Sequence, residues 1–312
     1  MCWRYRALWA TLSYTGEFTS ARAHVEQGRA LYDSQQHHAH ALLYGGHDPG
    51  MCCLYVGACV LWFLGYPDQA LQSMHEALTL GQELAHPHSV ASALYFAAEL
   101  HQLRREGQAA QERAEMEIVL AEEHGSAQWL ARGTILRGWA LAWQGQGAEG
   151  LAQMCQGLSA FRATGAEGRR TYFLALLAEG YRGTGEVQEG LRVLAEALAA
   201  AHNSGERYCE AELHRLKGEL LLLQSADQHA EAEACFHQAL AIARRQQAKS
   251  WELRAATSLS RLWQHQGKRA AAHELLAPIY GWFTEGFDTS DLQEAKALLA
   301  ELAQANATNG TV

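Results

Sequence analysis

Seven short turn motifs recur along the chain at a nearly constant interval, and this repetition restricts the possible folds more than any other feature. Each motif ends in a small residue, and these residues are Ala21, Ala70, Ala110, Gly150, Gly190, Ala232 and Ala272. The intervals between them are 49, 40, 40, 40, 42 and 40 residues. A fixed period is typical of repeat architectures, in which each unit buries its apolar face against its neighbours. The sequence therefore predicts an array of similar units.

The segments between the turns have the apolar spacing of helices rather than strands. A second set of small residues lies within the Leu-rich runs, and its members are Ala58, Ala98, Gly138, Ala178, Gly218 and Ser260. Two antiparallel helices can approach closely only where the side chains at their crossing are nearly absent. Each unit is therefore predicted to be a pair of packed antiparallel helices.

The order of small residues around a glycine-led turn, as in GWALAWQGQGAEGLAQMCQGL (138–158), resembles the tetratricopeptide repeat (TPR). The units differ from that family in two ways. Their period is 40 residues rather than about 34, and they lack the usual proline at the end of the repeat. The resemblance implies an all-α fold, a right-handed α-solenoid of about seven TPR-like helix pairs followed by a C-terminal capping helix.

The whole array is predicted to form one solenoid domain over residues 1–304. The expected repeats are 2–36, 49–86, 88–125, 126–166, 168–204, 206–248 and 250–284. The segment DTSDLQEAKALLAEL predicts a capping helix over 288–304, because an array leaves an open apolar face at its end. Residues 305–312 are predicted to be a disordered tail.

A narrower resemblance is carried by the segments YGGHDPGMCCL, LGYPDQAL, GERYCEAELHRLKGELLL and LLAPIYGWFTEGFDTSDLQEAKALL. They look like the C-terminal TPR region of large bacterial signalling ATPases, many of which carry an N-terminal adenylate/guanylate cyclase module. The resemblance implies a sensor or partner-binding segment, with an ATPase or cyclase module in the same or another chain as its partner. The sequence itself contains no G-x-x-x-x-G-K-[ST] phosphate-binding loop.

Charge and composition exclude several classes of function. The formal net charge of −9 argues against nucleic-acid binding, which needs a concentrated basic surface. No run of 18 apolar residues is present to span a membrane. The seven cysteines are never spaced as C-x-x-C, and this usage favours a reducing, cytoplasmic environment.

The stretch HHAHALLYGGHDPGMCCLY (37–55) has the residue types of a metal site or a hydrolase. It also fills the excess length of the first interval, so we interpret it as an elongated connection in which Asp48 caps the next helix and Pro49 starts it. No H-E-x-x-H or G-x-S-x-G motif occurs. We therefore expect no catalytic residue, metal or cofactor. A metal-dependent hydrolase built on 37–55 stays a remote alternative.

The resemblance to TPR arrays also indicates which side chains would line the concave groove. Carrying the family register onto this sequence gives Tyr55, Trp62, Tyr95, Glu99, Arg132, Trp139, Tyr172, Glu179, Arg182, Glu212, Arg215 and Arg254. Aromatic side chains provide desolvated anchors, and arginines provide bidentate contacts to carboxylates. The strip therefore predicts binding of a protein or peptide by a non-catalytic scaffold or sensor. An alternative is small-molecule sensing, in which Trp62, Tyr95 and Trp139 would stack on a ring.

Overall fold

The computed structural model describes residues 2–33, 47–84 and 86–308, and within them the regular structure is entirely helical. The all-α solenoid expected from the repeat is confirmed. No helix among these residues has both the length and the apolar character needed to cross a membrane. His37, His38 and His40, which the sequence places in the long connection, lie outside the described residues.

Seven helix pairs and a final helix follow one another along the described chain. The pairs are α1 (Cys2–Thr15) with α2 (Phe18–Ala30), α3 (Pro49–Phe63) with α4 (Pro67–Leu84), α5 (Pro87–Leu103) with α6 (Gly107–Glu123), α7 (Ala127–Trp143) with α8 (Gly147–Ala163), α9 (Arg170–Thr184) with α10 (Val187–Ser204), α11 (Glu210–Gln224) with α12 (His229–Arg245), and α13 (Lys249–His265) with α14 (Arg269–Tyr280). Helix α15 (Ser290–Thr308) ends the array, so it overlaps the predicted tail, of which 309–312 lie outside the described residues. The repeat boundaries stay a prediction.

Small residues let the two helices of a pair touch through their backbones, and α7 and α8 show why. A Cβ added to Gly150 would lie 2.3 Å from the carbonyl oxygen of Gly138. A Cβ added to Gly138 would lie 2.7 Å from the carbonyl oxygen of Gly150. Real Cβ atoms do not approach backbone oxygens so closely, so a larger residue at either position would force the helices apart.

The connection into α3 has the cap that the sequence predicts. The Asp48 carboxylate accepts a hydrogen bond from the Met51 backbone N–H at 2.9 Å, and Pro49 occupies the first turn. The Tyr32 hydroxyl donates to the other carboxylate oxygen at 3.0 Å. The predicted cap is therefore confirmed, and Asp48 has a local structural role at the start of α3.

The array curves until its C-terminal pairs contact its N-terminal pairs across the concave side. The Ser250 hydroxyl donates to the carbonyl oxygen of Trp62 at 2.5 Å, and the Arg254 guanidinium donates to the carbonyl oxygen of Leu103 at 2.5 Å. The indole rings of Trp62 and Trp251 meet edge to face, with centroids 4.9 Å apart. The concave side is consequently filled over much of its length rather than left as an open groove.

The segment after α14 strengthens this closure by binding the start of α4. The Glu285 carboxylate accepts hydrogen bonds from the backbone N–H groups of Asp68 at 2.9 Å and Gln69 at 3.1 Å. In return, the Gly286 N–H donates to the Asp68 carboxylate at 3.0 Å. The first N–H groups of a helix have no partner within the helix, so a distant carboxylate here satisfies groups that would otherwise bind water.

Candidate functional site

A cavity of about 300 Å³ remains on the concave side, between α1, α3, α5 and α7 and the loops that precede α9 and α11. It is lined by Trp9, Ala10, Ser13, Tyr14, His47, Cys52, Tyr55, Val56, Cys59, Val60, Phe63, His88, Phe96, Gln128, Trp129, Arg132, Arg169 and Tyr208. This volume lies at the lower end of the range of small-ligand sites, about 300–1,000 Å³. Aromatic walls with two arginines make it the best-formed candidate site in the described chain.

Arg169 enters the cavity from a strained backbone position. Its φ of 75° lies in the left-handed region, which a residue with a Cβ rarely adopts. The buried Glu206 carboxylate holds this conformation, because it accepts hydrogen bonds from the Arg169 N–H at 2.6 Å and the Thr171 hydroxyl at 2.7 Å. Such strain persists only where the surroundings fix it, and here it directs a cation into the site.

The Arg169 guanidinium is both ion-paired and stacked. It donates to the carboxylate of Glu99, which is fully buried. Its carbon lies 4.7 Å from the ring centre of Phe96, 5.1 Å from that of Tyr208 and 5.5 Å from that of Tyr14. Burial lowers the pKa of Arg169, but the Glu99 carboxylate and the neighbouring tyrosines together outweigh that effect, and the pKa lies well above its ordinary value. Arg169 is therefore a fixed cation whose charge Glu99 neutralises.

Arg132 is the second cation of the cavity, and its charge is not neutralised in the same way. Its guanidinium carbon lies 4.8 Å from the Trp129 ring, 5.2 Å from Tyr95 and 5.6 Å from Phe161. Among the described residues no carboxylate forms an ion pair with it, and its buried Nε has no hydrogen-bond partner. A half-buried guanidinium surrounded by rings is thus left available for an anion.

The remaining polar atoms of the cavity wall that lack a partner in the described chain are all able to donate. They are the Trp9 Nε1, Arg132 Nε, Arg169 Nε and Tyr208 Oη atoms. A buried donor without a partner costs roughly 1–3 kcal/mol. These atoms have almost no exposed surface, so a bound acceptor would remove that cost where the wall moves to bring a donor to it.

Two histidines at the edge of the cavity form a relay of hydrogen bonds. The Trp129 indole N–H donates to Nδ1 of His88 at 3.3 Å, so the Nε2 of a neutral His88 carries its proton. That Nε2 lies 3.2 Å from Nε2 of His47, whose Nδ1 lies 3.0 Å from the Ser92 hydroxyl. The described residues contain no group of three or more His, Cys, Asp or Glu placed to bind a metal. The two histidines are thus joined to each other and to the Trp129 indole at the edge of the cavity.

The twelve side chains predicted for the groove do not form one surface. Tyr55 and Arg132 line the cavity, and Tyr95 lies behind it against Arg132. Glu99 also lies behind the wall, as the partner of Arg169. These four side chains are brought together by the fold, although Tyr95 and Glu99 are fully buried.

The other predicted side chains serve contacts within the array. The Trp139 indole donates to the Glu179 carboxylate at 2.7 Å, and the Tyr172 hydroxyl donates to the Gln102 amide oxygen at 2.8 Å. Trp62 packs on Trp251 across the closure. Each of these aromatic side chains is almost completely buried. A partner would reach them only if the concave side opened, so their binding role stays a prediction.

The predicted charged residues of the C-terminal half form a buried ion-pair cluster. Arg215 binds Glu212 at 2.7 Å, and Arg254 lies 3.6 Å from the same carboxylate. Arg182 lies 3.3 Å from Glu219, which also binds Arg215. The Arg215 guanidinium holds the pKa of Glu212 at about 2 against the opposing effect of burial. The cluster therefore satisfies its own charges.

Several residues of the cavity were not indicated by the groove register. Trp9 and Tyr14 belong to α1, whose relation to the groove the register does not cover, while Arg169 and Tyr208 lie in the turns before α9 and α11. A turn arginine with a left-handed backbone has no recognisable sequence signal. Trp9 and Tyr14 are not three or four positions apart, as residues on one helical face would be, so no simple pattern marks them either.

Glu117 of α6 gives the fold a pH dependence that can be measured. Its carboxyl is fully buried, and both oxygens lack a hydrogen-bond partner among the described residues. Burial raises its pKa well above the ordinary 4.5, and the charge of Arg132 only partly opposes this. As pH rises above 4.5, the unfolded chain releases a proton that the folded chain keeps. The free energy of unfolding therefore falls with rising pH until Glu117 ionises in the folded state.

Glu117→Gln is expected to raise the melting temperature at neutral pH. It should also remove the part of the fall in unfolding free energy with rising pH that is due to Glu117. Thermal unfolding between pH 4.5 and neutrality checks it. The control is Glu115→Gln, two residues away on the exposed face of the same helix. Parallel pH profiles for wild type and Glu117→Gln would contradict the assignment.

Comparison with known proteins identifies the fold of the chain but does not assign the chain to a family. No family model matches the chain. It is 26% identical over 255 residues to protein R02095 of Rhizobium meliloti (strain 1021), covering 82% of this chain and 25% of that protein. The chain thus spans a quarter of the length of the curated relative that it matches.

Among solved structures, the chain resembles a Rap protein complexed with Competence and Sporulation Factor (TM-score 0.61, 17% identity, 96% of this chain and 80% of the other). It also resembles aspartyl phosphate phosphatase F from Bacillus subtilis (0.54, 10%, 96% and 68%). A third is the signal transduction ATPase PH0952 from Pyrococcus horikoshii, which has a tetratricopeptide repeat sensor (0.51, 13%, 98% and 45%). At these identities the likeness concerns the fold, and the chain is a TPR-like α-solenoid.

Proposed function

We propose that this chain is a non-catalytic sensor module that binds a protein or peptide on its concave side. The observation that carries the proposal is the aromatic cavity beside Arg132, whose unpartnered wall atoms can all donate hydrogen bonds. A peptide would place one side chain in this cavity, and it would continue along the concave side only if the contacts between the C-terminal and N-terminal pairs opened. Aromatic anchors and an arginine are the residue types that dominate the energy of such interfaces.

The module would belong to a larger cytoplasmic signalling protein. Two comparisons support this part of the proposal. The relative from Rhizobium meliloti is about four times as long as the matched region, and the Pyrococcus protein joins a TPR sensor to an ATPase. A partner bound in the cavity would change the curvature of the array, and that change would reach an attached ATPase or cyclase module through the packed helices.

A selection from a displayed peptide library tests the binding function. Full-length chain is immobilised, and enriched peptides are measured against wild type, Arg132→Gln and Arg192→Gln. Arg192 is the matched control, because it is exposed on α10 and pairs only with Glu189 within the described residues. Enriched peptides should lose at least about tenfold in affinity with Arg132→Gln and be unaffected by Arg192→Gln. Failure to enrich any sequence, or equal binding by all three proteins, would refute the proposal.

Sensing of a small molecule is a second candidate function. It is favoured by the small size of the cavity, about 300 Å³, which suits a single ring system better than a long segment. A ligand that binds only the folded state raises the melting temperature by mass action. A thermal-shift screen of metabolites that finds a saturable ligand, together with a library selection that enriches no peptide, would favour this function over the first.

A further inference from the structure

We infer that the cavity binds a carboxylate that is attached to a planar apolar group, and that Arg132 is the residue that pairs with the carboxylate. The inference rests on the proposed function, since it names the chemistry that one part of the concave side recognises. The carboxylate could be the C-terminus of a peptide that ends in an aromatic residue, or it could belong to a free aromatic acid. Both sources present the same groups to the cavity.

The charges of the site select an anion. Glu99, which lies behind the wall, neutralises Arg169, whereas Arg132 has no ion-paired carboxylate among the described residues. Two buried carboxyl groups also act on Arg132, and they are Glu99 and Glu117. Glu99 is ion-paired with Arg169. Burial raises the pKa of Glu117 well above its ordinary value. The cavity therefore carries about one positive charge that a ligand can compensate.

The size of that charge distinguishes a carboxylate from a phosphate. A singly charged carboxylate would match the free charge of Arg132 and accept hydrogen bonds in the bidentate geometry that guanidinium prefers. A phosphate dianion would bring a second charge into an apolar enclosure with no cation to pair with it, because Arg169 is already neutralised. Burying an uncompensated charge is strongly unfavourable.

The walls select a flat apolar group next to the anion. The Phe96 and Tyr55 rings are stacked at 4.5 Å with an angle of 15° between their planes, and both line the cavity. The Trp129 ring, held by its hydrogen bond to His88, stands beside Arg132. Ring systems pack on such surfaces in stacked or edge-to-face arrangements, and the volume of about 300 Å³ leaves room for one of them.

The unpartnered donors complete the match. The Trp9 Nε1 and Tyr208 Oη atoms belong to the cavity wall and have no partner in the described chain. A carboxylate has acceptor sites only, so it can satisfy such donors and offers none that would compete with them. An amide of the same shape would add an N–H donor beside the unpartnered donors of the wall, which need an acceptor from the ligand.

Four probes test the inference by calorimetric titration of the full chain. They are N-acetyl-L-tryptophan, N-acetyl-L-tryptophanamide, a degenerate nonapeptide mixture ending in tryptophan with a free C-terminus, and the same mixture with an amidated C-terminus. The acid of each pair is expected to bind at least about tenfold more tightly than its amide, because a charge-assisted hydrogen bond replaces a neutral one. A preference in the peptide pair alone identifies a chain terminus as the source, and a preference in both pairs identifies a free aromatic acid.

Arg132→Gln should abolish the preference for the acid, while Arg132→Lys should retain part of it, since lysine keeps the charge but loses the forked geometry. Arg192→Gln is the control and should bind as wild type does. Far-UV circular dichroism and the melting temperature of each variant show whether it is folded. Equal binding of acid and amide, an acid preference that survives Arg132→Gln, or no binding by any of the four probes would overturn the inference.

The two proposals fail in different ways. Library peptides that need Arg132 but tolerate C-terminal amidation would support the peptide-binding function and overturn the carboxylate inference. Tight binding of N-acetyl-L-tryptophan in its acid form, with no enriched peptide, would support the inference and refute peptide binding.

Discussion

Arg169→Met should lower the free energy of unfolding by about 3–5 kcal/mol, the loss typical of breaking a buried ion pair from one side. The substitution removes the partner of Glu99, whose carboxylate is fully buried. It also removes a cation from the rings of Phe96, Tyr208 and Tyr14. Methionine has a Cβ, as arginine does, so the backbone strain at φ 75° is unchanged and does not contribute to the difference.

The double variant Glu99→Met/Arg169→Met should recover most of the stability lost by Arg169→Met. With both charges removed, neither is left unpaired in the apolar interior, and replacing a buried pair by apolar groups is often close to neutral. Urea denaturation of the wild type, the two single variants and the double variant gives the coupling energy.

The neighbouring Arg170 is the control for this cycle. Its ion pair with Glu196, at 2.9 Å, is partly exposed, so Arg170→Met should change the free energy of unfolding by less than about 1 kcal/mol. A double variant as unstable as the sum of the two single variants would show that Glu99 and Arg169 are not coupled.

Arg254→Met should open the concave side as well as destabilise the fold. Arg254 joins three parts of the array, because it binds the Leu103 carbonyl oxygen at 2.5 Å, the Asp291 carboxylate at 2.8 Å and the face of Trp62 at 5.1 Å. Its removal should cost about 1–3 kcal/mol, because the Leu103 carbonyl oxygen loses its buried donor. Asp291 keeps its ion pair with Arg105 at 3.0 Å. The released C-terminal pairs should raise the radius of gyration measured by small-angle X-ray scattering.

Arg261→Met is the matched control, seven residues further along α13. Arg261 pairs with Glu294 at 2.9 Å, but its side chain is 46% exposed, and such a pair contributes about 0–1 kcal/mol. This variant should keep the wild-type radius of gyration. An Arg254→Met protein that is destabilised without becoming larger would mean that other contacts, such as that between Ser250 and Trp62, keep the array closed.

The helix pairs could be predicted from the sequence because their determinants are local. Gly138 and Gly150 must be small because two backbones meet there, and this requirement is visible as a residue type at a fixed interval. The cap formed by Asp48 is local as well, because its carboxylate binds the N–H of Met51, three residues along the chain. Closure has no such signal, since Trp62 would be aromatic whether it faced a ligand or Trp251.

The cavity could be predicted only in part, for the same reason. Tyr55 and Arg132 lie on first helices, so the TPR register indicated their side of the array. Arg169 reaches the cavity because Glu206, in another repeat, fixes an unfavourable backbone conformation. That dependence spans 37 residues and leaves no pattern in either segment alone.

The closure described above also fixes how many helix pairs lie between the parts of the array that it joins. An open array can gain or lose a terminal unit, and only the interface with the neighbouring unit is gained or lost with it. In this chain, Glu285 reaches the start of α4 and Ser250 reaches Trp62 only because a definite number of helix pairs lies between them. Each pair adds a rotation, so one pair more or fewer would turn these residues away from each other. The number of pairs between α4 and the segment after α14 is therefore set by the tertiary structure, as chain length is in a closed ring.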